Sequence, residues 1–323
     1  MILIILFLNI ISYSEHRDTI YERDSKIIYD LIFEQNYKEA LFYADKLIEN
    51  KSENPVGYLL KVEVYISRNE DFRKSENLDA IKKIHNELES IISSLKNKSH
   101  QNYFNGILSI QKLYLSSKNY QLFNLIDESF TLKSSFRNCI KENYNVEESN
   151  YYLCNYYYWS SKYIPTTSNN KKANKQNLVK IIESLILNKS YLEYSALTNL
   201  IWIMHEEKEF QKMIEYAELG LDKYPKNREY LWALLTAYEK NNNQLKVIEV
   251  LKQIEDASII NNEINKYTLV TSKLKLAKIY YDKNQIVLAK KYLDELFEIK
   301  HDSSIINIDK KYNEAKVLLN QIK

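Results

Sequence analysis

Two consecutive stretches of 34 residues, 194–227 and 228–261, carry apolar residues at matching offsets, and this repeat constrains the fold more than any other feature. The first apolar set recurs at steps of three and four residues, which is the spacing of one face of an α-helix. It comprises Leu197, Leu200, Ile201 and Met204 in one stretch and Leu231, Leu234, Leu235 and Tyr238 in the other. After a polar turn the second set pairs Met213, Ala217 and Gly220 with Val247, Leu251 and Ile254. Each stretch therefore predicts one helix-turn-helix unit.

Weaker copies of the same pattern extend along the chain. They occupy residues 21–54, 55–66 and onward, and 270–303. The region 100–190 matches the pattern least, but its apolar spacing still predicts helices over 103–116, 120–132, 147–163 and 178–188, with a polar loop at 165–176. A polar insertion at 67–77 precedes a helix predicted over 78–95, and a last helix over 309–322 is expected to cap the array.

This pattern resembles the tetratricopeptide repeat (TPR) family, whose units are 34-residue helix-turn-helix pairs with proline near the end, as at Pro225. The family's Trp, Gly and Pro positions are mostly substituted, and Lys61 and Lys273 occupy places that are usually apolar. The resemblance implies an all-α fold, an α-solenoid of about seven helix pairs plus a C-terminal cap helix. We expect residues 15–323 to form this single array.

The composition is consistent with helices, and the sequence contains no recognisable catalytic motif. The chain has only three Gly and three Pro, which indicates few turns of positive φ and argues against a hairpin-rich sheet. Tyr, Ile and Asn are abundant, but abundance alone indicates no structure. The five His residues lack metal-site spacing, and neither a glycine-rich phosphate loop nor a Gly-x-Ser-x-Gly elbow is present. We therefore expect no catalytic residues, no metal and no cofactor.

Charge is balanced, with 45 Lys and Arg against 43 Asp and Glu. A nucleic-acid-binding protein usually concentrates its basic residues on one face. The nearest approach to such a block is Lys171, Lys172 and Lys175, in a polar stretch that is typical of a solvated loop. We expect no nucleic-acid partner.

The N-terminal residues have the pattern of a secretory signal peptide. An apolar run over 1–11 is followed by Ser12-Tyr13-Ser14 and then by charged residues, although no Lys or Arg precedes the run. We predict a signal peptide over 1–14 and export to a bacterial periplasm or envelope. The alternative is a buried first helix, or a membrane-proximal anchor retained on a cytoplasmic adaptor.

Cys139 and Cys154 are the only cysteines. In an exported protein they allow one disulfide, whereas in a cytosolic protein they are two small buried apolar residues. Both interpretations stay open on the sequence alone.

The TPR resemblance implies a ligand groove lined by the first helix of each pair. The residues it places there are Thr198, Trp202, Trp232, Thr236, Leu274, Tyr281 and Tyr29, with Ser25, Ile32, His205, Glu239 and Lys278 at related offsets. Trp and Tyr favour partner docking because they bury much area at little cost in rotamer entropy. The competing interpretation is that both Trp residues belong to the core.

The groove residues also indicate what would bind. Relatives that clamp a terminal carboxylate use Lys and Asn at positions that here hold Ser, Thr, Tyr and Trp, so no carboxylate-clamp ligand is expected. A second aromatic cluster, at Tyr151, Tyr152, Tyr156, Tyr157, Tyr158 and Trp159, is either core or a docking surface. The sequence thus predicts a non-catalytic scaffold or adaptor that binds proteins or peptides with apolar or aromatic anchors. The alternative is a cytoplasmic or membrane-anchored adaptor that resembles a co-chaperone.

Overall fold

A computed structural model describes the backbone of residues 19–118, 122–163 and 171–322. The predicted signal peptide over 1–14 lies outside these residues. Fifteen helices occupy them as seven consecutive pairs and a terminal helix, which confirms the predicted all-α solenoid of helix-turn-helix repeats. The pairs are α1 Thr19–Phe33 with α2 Tyr37–Asn50, α3 Pro55–Phe72 with α4 Leu78–Ser94, α5 Lys98–Lys118 with α6 Leu122–Lys141, α7 Val146–Tyr163 with α8 Lys171–Leu187, α9 Glu193–Glu206 with α10 Phe210–Lys223, α11 Arg228–Lys240 with α12 Gln244–Asp256 and α13 Lys266–Asp282 with α14 Ile286–Glu298, and α15 is Ile308–Ile322.

Two predicted loops are shorter than the sequence suggested. The helix α3 continues to Phe72, so most of the polar stretch 67–77 is helical. The helix α8 begins at Lys171, although a loop was predicted over 165–176. Residues 67–71 are polar yet helical, and Arg68 among them pairs with the distant Glu263 at 2.8 Å. The loop predicted over 165–176 was wrong from Lys171 onward.

Helix ends depend on asparagine where glycine would be expected. Twelve non-glycine residues in the described part of the chain have positive φ, and eight of these are Asn. Lys208, Asn242 and Asn284 end the first helices α9, α11 and α13 in this way. The amide of the positive-φ residue and the amide after it then bond back to the helix, as in Asn242 N to Glu239 O and Asn243 N to Tyr238 O, which is the Schellman arrangement. The expectation that few glycines mean few turns of positive φ was therefore wrong.

A two-stranded hairpin interrupts the repeat. The strands β1 (Ile259–Ile260) and β2 (Glu263–Ile264) pair antiparallel, and the two-residue loop between them is Asn261-Asn262, with φ of 50° and 62°. Positive φ at both loop residues matches the right-handed twist of a hairpin. The insertion lengthens the spacing of equivalent helix ends, which is 34 residues from Lys208 to Asn242 and 42 from Asn242 to Asn284.

The chain divides into two compact units. The first comprises residues 1–29, 40–63 and 79–193, and the second comprises 30–39, 64–78 and 194–323. In the first unit the helices α5 to α8 pack in chain order, Phe136 and Tyr103 are fully buried, and the Tyr103 and Tyr191 hydroxyls lie 2.7 Å apart.

In the second unit each helix from α10 to α15 packs on the next. Close approach of α10 and α11 requires Gly220, because a Cβ there would lie 2.5 Å from the Tyr230 ring. An apolar core of Val270, Leu274, Leu293 and Leu296 joins α13 and α14 to the terminal helix.

The two lysines at usually apolar positions keep their charge by pairing. Lys61 Nζ lies 2.6 Å from Asp45. Lys273 is buried and binds both Glu255 and, at 2.6 Å, Glu295. Burial acts to lower the pKa of Lys273, but its hydrogen bonds to the two carboxylates outweigh burial and raise it. The core tolerates Lys273 because its aliphatic stem is buried while its ammonium group is hydrogen-bonded to the two carboxylates.

The second unit contains a buried ion pair between Asp71, near the end of α3, and Arg228, the first residue of α11. Arg228 Nε donates to Asp71 at 2.8 Å, and its Nη2 donates to the other carboxylate oxygen. The Tyr37 hydroxyl donates to the same carboxylate at 3.0 Å, and the Asn265 amide donates at 3.1 Å. Arg228 also donates to the Ala257 carbonyl at 2.6 Å, which ties the end of α12 to the pair. Every acceptor lone pair in reach is thus used, as buried charges require.

We expect Asp71→Ala to lower the free energy of unfolding by about 3–5 kcal/mol, because it leaves the Arg228 charge buried without its counterion. Urea unfolding measures the change. Glu249→Ala is the matched control, since the Lys246–Glu249 pair is exposed and should cost under about 1 kcal/mol. The double replacement Asp71→Leu with Arg228→Met should cost less than Asp71→Ala alone, and equal losses for Asp71→Ala and Glu249→Ala would contradict the assigned role.

Candidate functional site

The candidate site is a surface on the first helices of the last repeats, which we call the first-helix face. Its members lie at steps of three and four residues on each helix, so each set shares one side. They are Thr198 and Trp202 on α9, Glu229, Trp232, Thr236 and Glu239 on α11, Lys275 and Lys278 on α13 and Glu314 on α15. All belong to the second unit.

Hydrogen bonds and ion pairs link neighbouring helices along this face. The Trp202 indole Nε1 donates to Glu229 at 3.2 Å. Lys275 donates to Glu239 at 2.5 Å, and Lys278 donates to Glu314 at 2.6 Å. These contacts hold neighbouring helices in register while they leave the participating side chains at least partly accessible.

Trp202 and Trp232 are both half-buried, so neither is a core residue or a freely solvated one. Glu229 accepts the Trp202 indole proton, and Trp232 follows Glu229 by three residues on α11, on the same side of that helix. The Trp202 ring also makes an edge contact with His205, with centroids 5.7 Å apart. His205 was predicted in a turn but lies in the last turn of α9.

The two threonines use their protons locally. Thr198 Oγ1 donates to the Tyr194 carbonyl at 2.9 Å, and Thr236 Oγ1 donates to the Trp232 carbonyl at 2.8 Å. Both are half-buried. Their hydroxyl oxygens can therefore accept a hydrogen bond from a ligand, but their protons are committed to the helix.

Glu229 is the carboxylate that binds the Trp202 indole on this face. Its side chain is accessible to solvent, yet surrounding protein raises its pKa by desolvation. The Trp202 hydrogen bond opposes this, while Asp71 and Glu70 raise the pKa further. A carboxyl group that is both accessible and closely surrounded is positioned to receive a hydrogen-bond donor from a partner. Sequence reasoning did not select Glu229, because a glutamate on a helix surface gives no distinguishing signal.

Two of the predicted groove residues lie elsewhere. Leu274 is 2% exposed and packs with Tyr312 and Ala315 of α15, so placing it in the groove was wrong: the terminal helix covers that side of α13. Tyr29 is half-buried in the first unit, where its ring lies 5.9 Å from that of Tyr191. Ser25 and Ile32, at related offsets, are buried.

Tyr281 lines a cleft of about 720 Å³ between α13 and α15. Val317 and Leu318 supply its apolar wall, and Lys278 and Lys310 stand at its rim. Nearby, burial lowers the pKa of Lys311, and repulsion by Lys278, Lys275 and Lys310 lowers it further, against the attraction of Glu314. The cleft thus combines an apolar wall with an edge of mixed charge, since Asp282 and Glu314 also line it.

Cys139 and Cys154 are free thiols, so the predicted disulfide is absent from the structure. Cys139 is buried with its sulfur 3.8 Å from the Ser99 carbonyl oxygen, and Cys154 lies within α7. Burial raises the pKa of Cys139 to about 12 and also raises that of Cys154. Both thiols are therefore protonated and poorly nucleophilic near neutral pH.

The aromatic cluster on α7 divides between two environments. Tyr151 and Tyr158 are buried. Tyr152, Tyr156, Tyr157 and Trp159 are half-buried, and the Tyr152 ring stacks on Phe136 at 5.1 Å. Core packing therefore explains one side of the helix but not all of it.

The described residues contain neither a metal-binding group nor a membrane-spanning helix. No group of three or more His, Cys, Asp or Glu residues there is arranged to hold a metal ion. Within the same residues, no helix combines the length and apolar character needed to span a bilayer.

Comparison with known proteins gives structural likenesses only. No family model matches the chain, and no curated protein matches it. Among solved structures, the C-terminal part of a TPR repeat-containing protein from Cytophaga hutchinsonii is 14% identical, with a TM-score of 0.45 over 90% of this chain and 98% of that one. The human IFIT1 dimer with m7Gppp-AAAA is 13% identical, with a TM-score of 0.36 over 97% of this chain and 83% of that one. Both TM-scores lie below 0.5, so neither protein indicates what this chain binds.

The burial of Leu274 gives a direct test of the site boundary. We expect Leu274→Ala to lower the free energy of unfolding by about 2–5 kcal/mol, because it opens a cavity between α13 and α15. Lys278→Ala, four residues along and exposed, should change it by under about 1 kcal/mol. Thermal unfolding of the two variants measures the difference. If both variants lose similarly little stability, Leu274 is a surface residue and the boundary drawn here is wrong.

Proposed function

We propose that this protein is a non-catalytic scaffold of the TPR type that binds a peptide or a segment of a protein on its first-helix face. The observation that carries the proposal is the pair of half-buried Trp residues on neighbouring first helices: Trp202, whose indole donates to Glu229, and Trp232, three residues after Glu229 on α11. Partly exposed Trp side chains on adjacent rigid helices are characteristic anchors for binding, since they bury large area at little entropic cost. The repeated helix pairs and their 34-residue spacing support the TPR assignment.

The ligand that fits this face has apolar or aromatic anchors and at least one hydrogen-bond donor. Glu229 and the Thr236 hydroxyl oxygen are acceptors that lie beside the indoles. Lys275 and Lys278 already pair with Glu239 and Glu314, so a bare carboxylate would have to displace an existing ion pair. This supports a ligand other than a terminal carboxylate. The carboxylates along the face also disfavour a nucleic-acid backbone, because like charges repel.

We expect Trp202→Ala and Trp232→Ala each to weaken binding by about 30-fold or more, as loss of an interface anchor does. The probe is a peptide selected against the full chain by phage display and measured by fluorescence anisotropy. The melting temperature should change little, whereas loss of a fully buried Trp would cost about 3–5 kcal/mol of stability.

Trp159→Ala is the matched control for this experiment, because Trp159 is also half-buried but lies on α7 in the first unit. It should leave peptide affinity unchanged. A large fall in melting temperature for both Trp202→Ala and Trp232→Ala would identify them as core residues and remove the proposed site.

We also propose that the chain is exported, on the strength of the apolar run that ends at Ser12-Tyr13-Ser14. Mass spectrometry of the native protein should then give an N-terminus at or near Glu15. An intact Met1 on soluble protein would instead support the cytoplasmic adaptor, and an intact Met1 in the membrane fraction would support the anchored one.

A further inference from the structure

The helix α6 presents an exposed stripe that the first-helix face does not include. Ile126, Phe130, Lys133, Arg137 and Lys141 follow one another at steps of four, three, four and four residues, so they share one side of the helix. Ile126 is 54% exposed and Phe130 is 64% exposed. Large apolar side chains are not unusual singly on a surface, but two in successive turns beside three cations form a patch.

The cations of this stripe rest on aromatic rings. Lys133 Nζ lies 4.5 Å from the Phe130 centroid and 5.7 Å from that of Tyr156 on α7. Arg137 donates to the Tyr157 hydroxyl at 2.5 Å and lies 6.0 Å from its ring centroid. These contacts hold the charged groups in fixed places, although they do not neutralise them.

Carboxylates near the stripe are few or already engaged. Glu128 pairs with Lys112 at 3.5 Å, and Glu142 accepts a hydrogen bond from Asn102. Asp127, at the N-terminal end, and Glu142, just after Lys141, are exposed. Among the ion pairs of the described residues, none involves Lys133, Arg137 or Lys141 with a carboxylate. The stripe is therefore net positive in a chain whose overall charges nearly balance.

We propose that this stripe, Ile126 to Lys141 of α6 with Tyr156 and Tyr157 of α7, is a second docking surface, and that it binds an acidic amphipathic helix of a partner protein. Apolar side chains of such a helix pack on Ile126 and Phe130, and its carboxylates reach the three cations. Because the stripe spans about four turns, or roughly 22 Å, a partner helix of about 14 residues covers it.

The arrangement favours an acidic helix over a nucleic acid. A base needs a whole ring face to stack on, and the Lys133 ammonium already lies over the Phe130 ring. An aliphatic side chain needs only part of the exposed area of that ring. A carboxylate can approach the same ammonium group where it lies. Ile126 is aliphatic and offers contact area to an apolar side chain but no stacking face to a base.

The test uses a fluorescein-labelled 14-residue peptide with Leu at positions 3, 7, 10 and 14 and Glu flanking that face, titrated with the full chain at low and moderate salt. We expect saturable binding that weakens as salt increases, and no binding of a scrambled peptide of the same composition. Phe130→Ala should weaken binding about tenfold or more. The double variant Lys133→Glu with Arg137→Glu should no longer bind the acidic peptide. It should instead bind a peptide in which Lys replaces each Glu.

A control variant outside the stripe is Val287→Ala with Lys290→Glu and Lys291→Glu on α14, an exposed apolar and basic set in the second unit. It should bind the acidic peptide as the unchanged chain does. Circular dichroism of each variant checks that it is folded, which the exposure of these side chains predicts. The proposal is overturned if the acidic peptide does not bind, if the scrambled peptide binds equally, or if oligo(dT) binds and is lost in the same stripe variants. Trp202→Ala should not alter this binding, so failure here is distinct from failure of the first-helix face.

Discussion

The carboxylate of Asp71 organises one end of the second unit. It accepts hydrogen bonds from Arg228 at the start of α11, from Tyr37 at the start of α2 and from Asn265 just before α13. A cation at the first position of a helix opposes the positive end of the helix dipole, so Arg228 would be unfavourable there without a buried counterion. One acidic side chain thereby fixes the starts of three helices, and Arg228 extends the set to the end of α12 through the Ala257 carbonyl. Burial raises the pKa of Tyr37, and the neighbouring Asp71 raises it further, so the phenol stays a donor.

The helices themselves could be predicted because their information is local. Apolar spacing within about fifteen residues decides which side of a helix is buried, and this needs no knowledge of the rest of the chain. Asp71 and the stretch around it could not be assigned in this way, because Arg228 lies 157 residues away. The asparagines were discounted for a related reason. Asn227, Asn243 and Asn265 accept backbone amides at helix starts, while Asn242 and Asn284 adopt positive φ at helix ends, and composition alone cannot separate these uses.

The candidate site was accessible to sequence reasoning only in part. Trp202 and Trp232 stood out because Trp is rare in this chain and because the 34-residue period placed them on first helices. At α13 the repeat offset placed Leu274 in the groove, and this was wrong. The offset identifies equivalent residues in successive repeats, but it does not show that α15 packs over Leu274. Glu229 and the stripe on α6 could not be identified from sequence, because their roles depend on which residues of other helices lie next to them. The sequence pattern of an apolar helix does not show whether a given apolar residue, such as Phe130, is exposed or buried.

The composition of the second unit from three separated chain segments affects how such an array can change in evolution. A repeat protein ordinarily gains or loses whole modules, because each module contacts only its neighbours. Here Asp71 and Arg228 must meet, and Asn265 must reach the same carboxylate. A duplication or deletion of one helix pair between residues 79 and 193 would have to leave these contacts intact, because losing one partner leaves a charge buried without its counterion. The buried pair therefore makes substitution within a repeat easier to accommodate than a change in the number of repeats between residues 71 and 228.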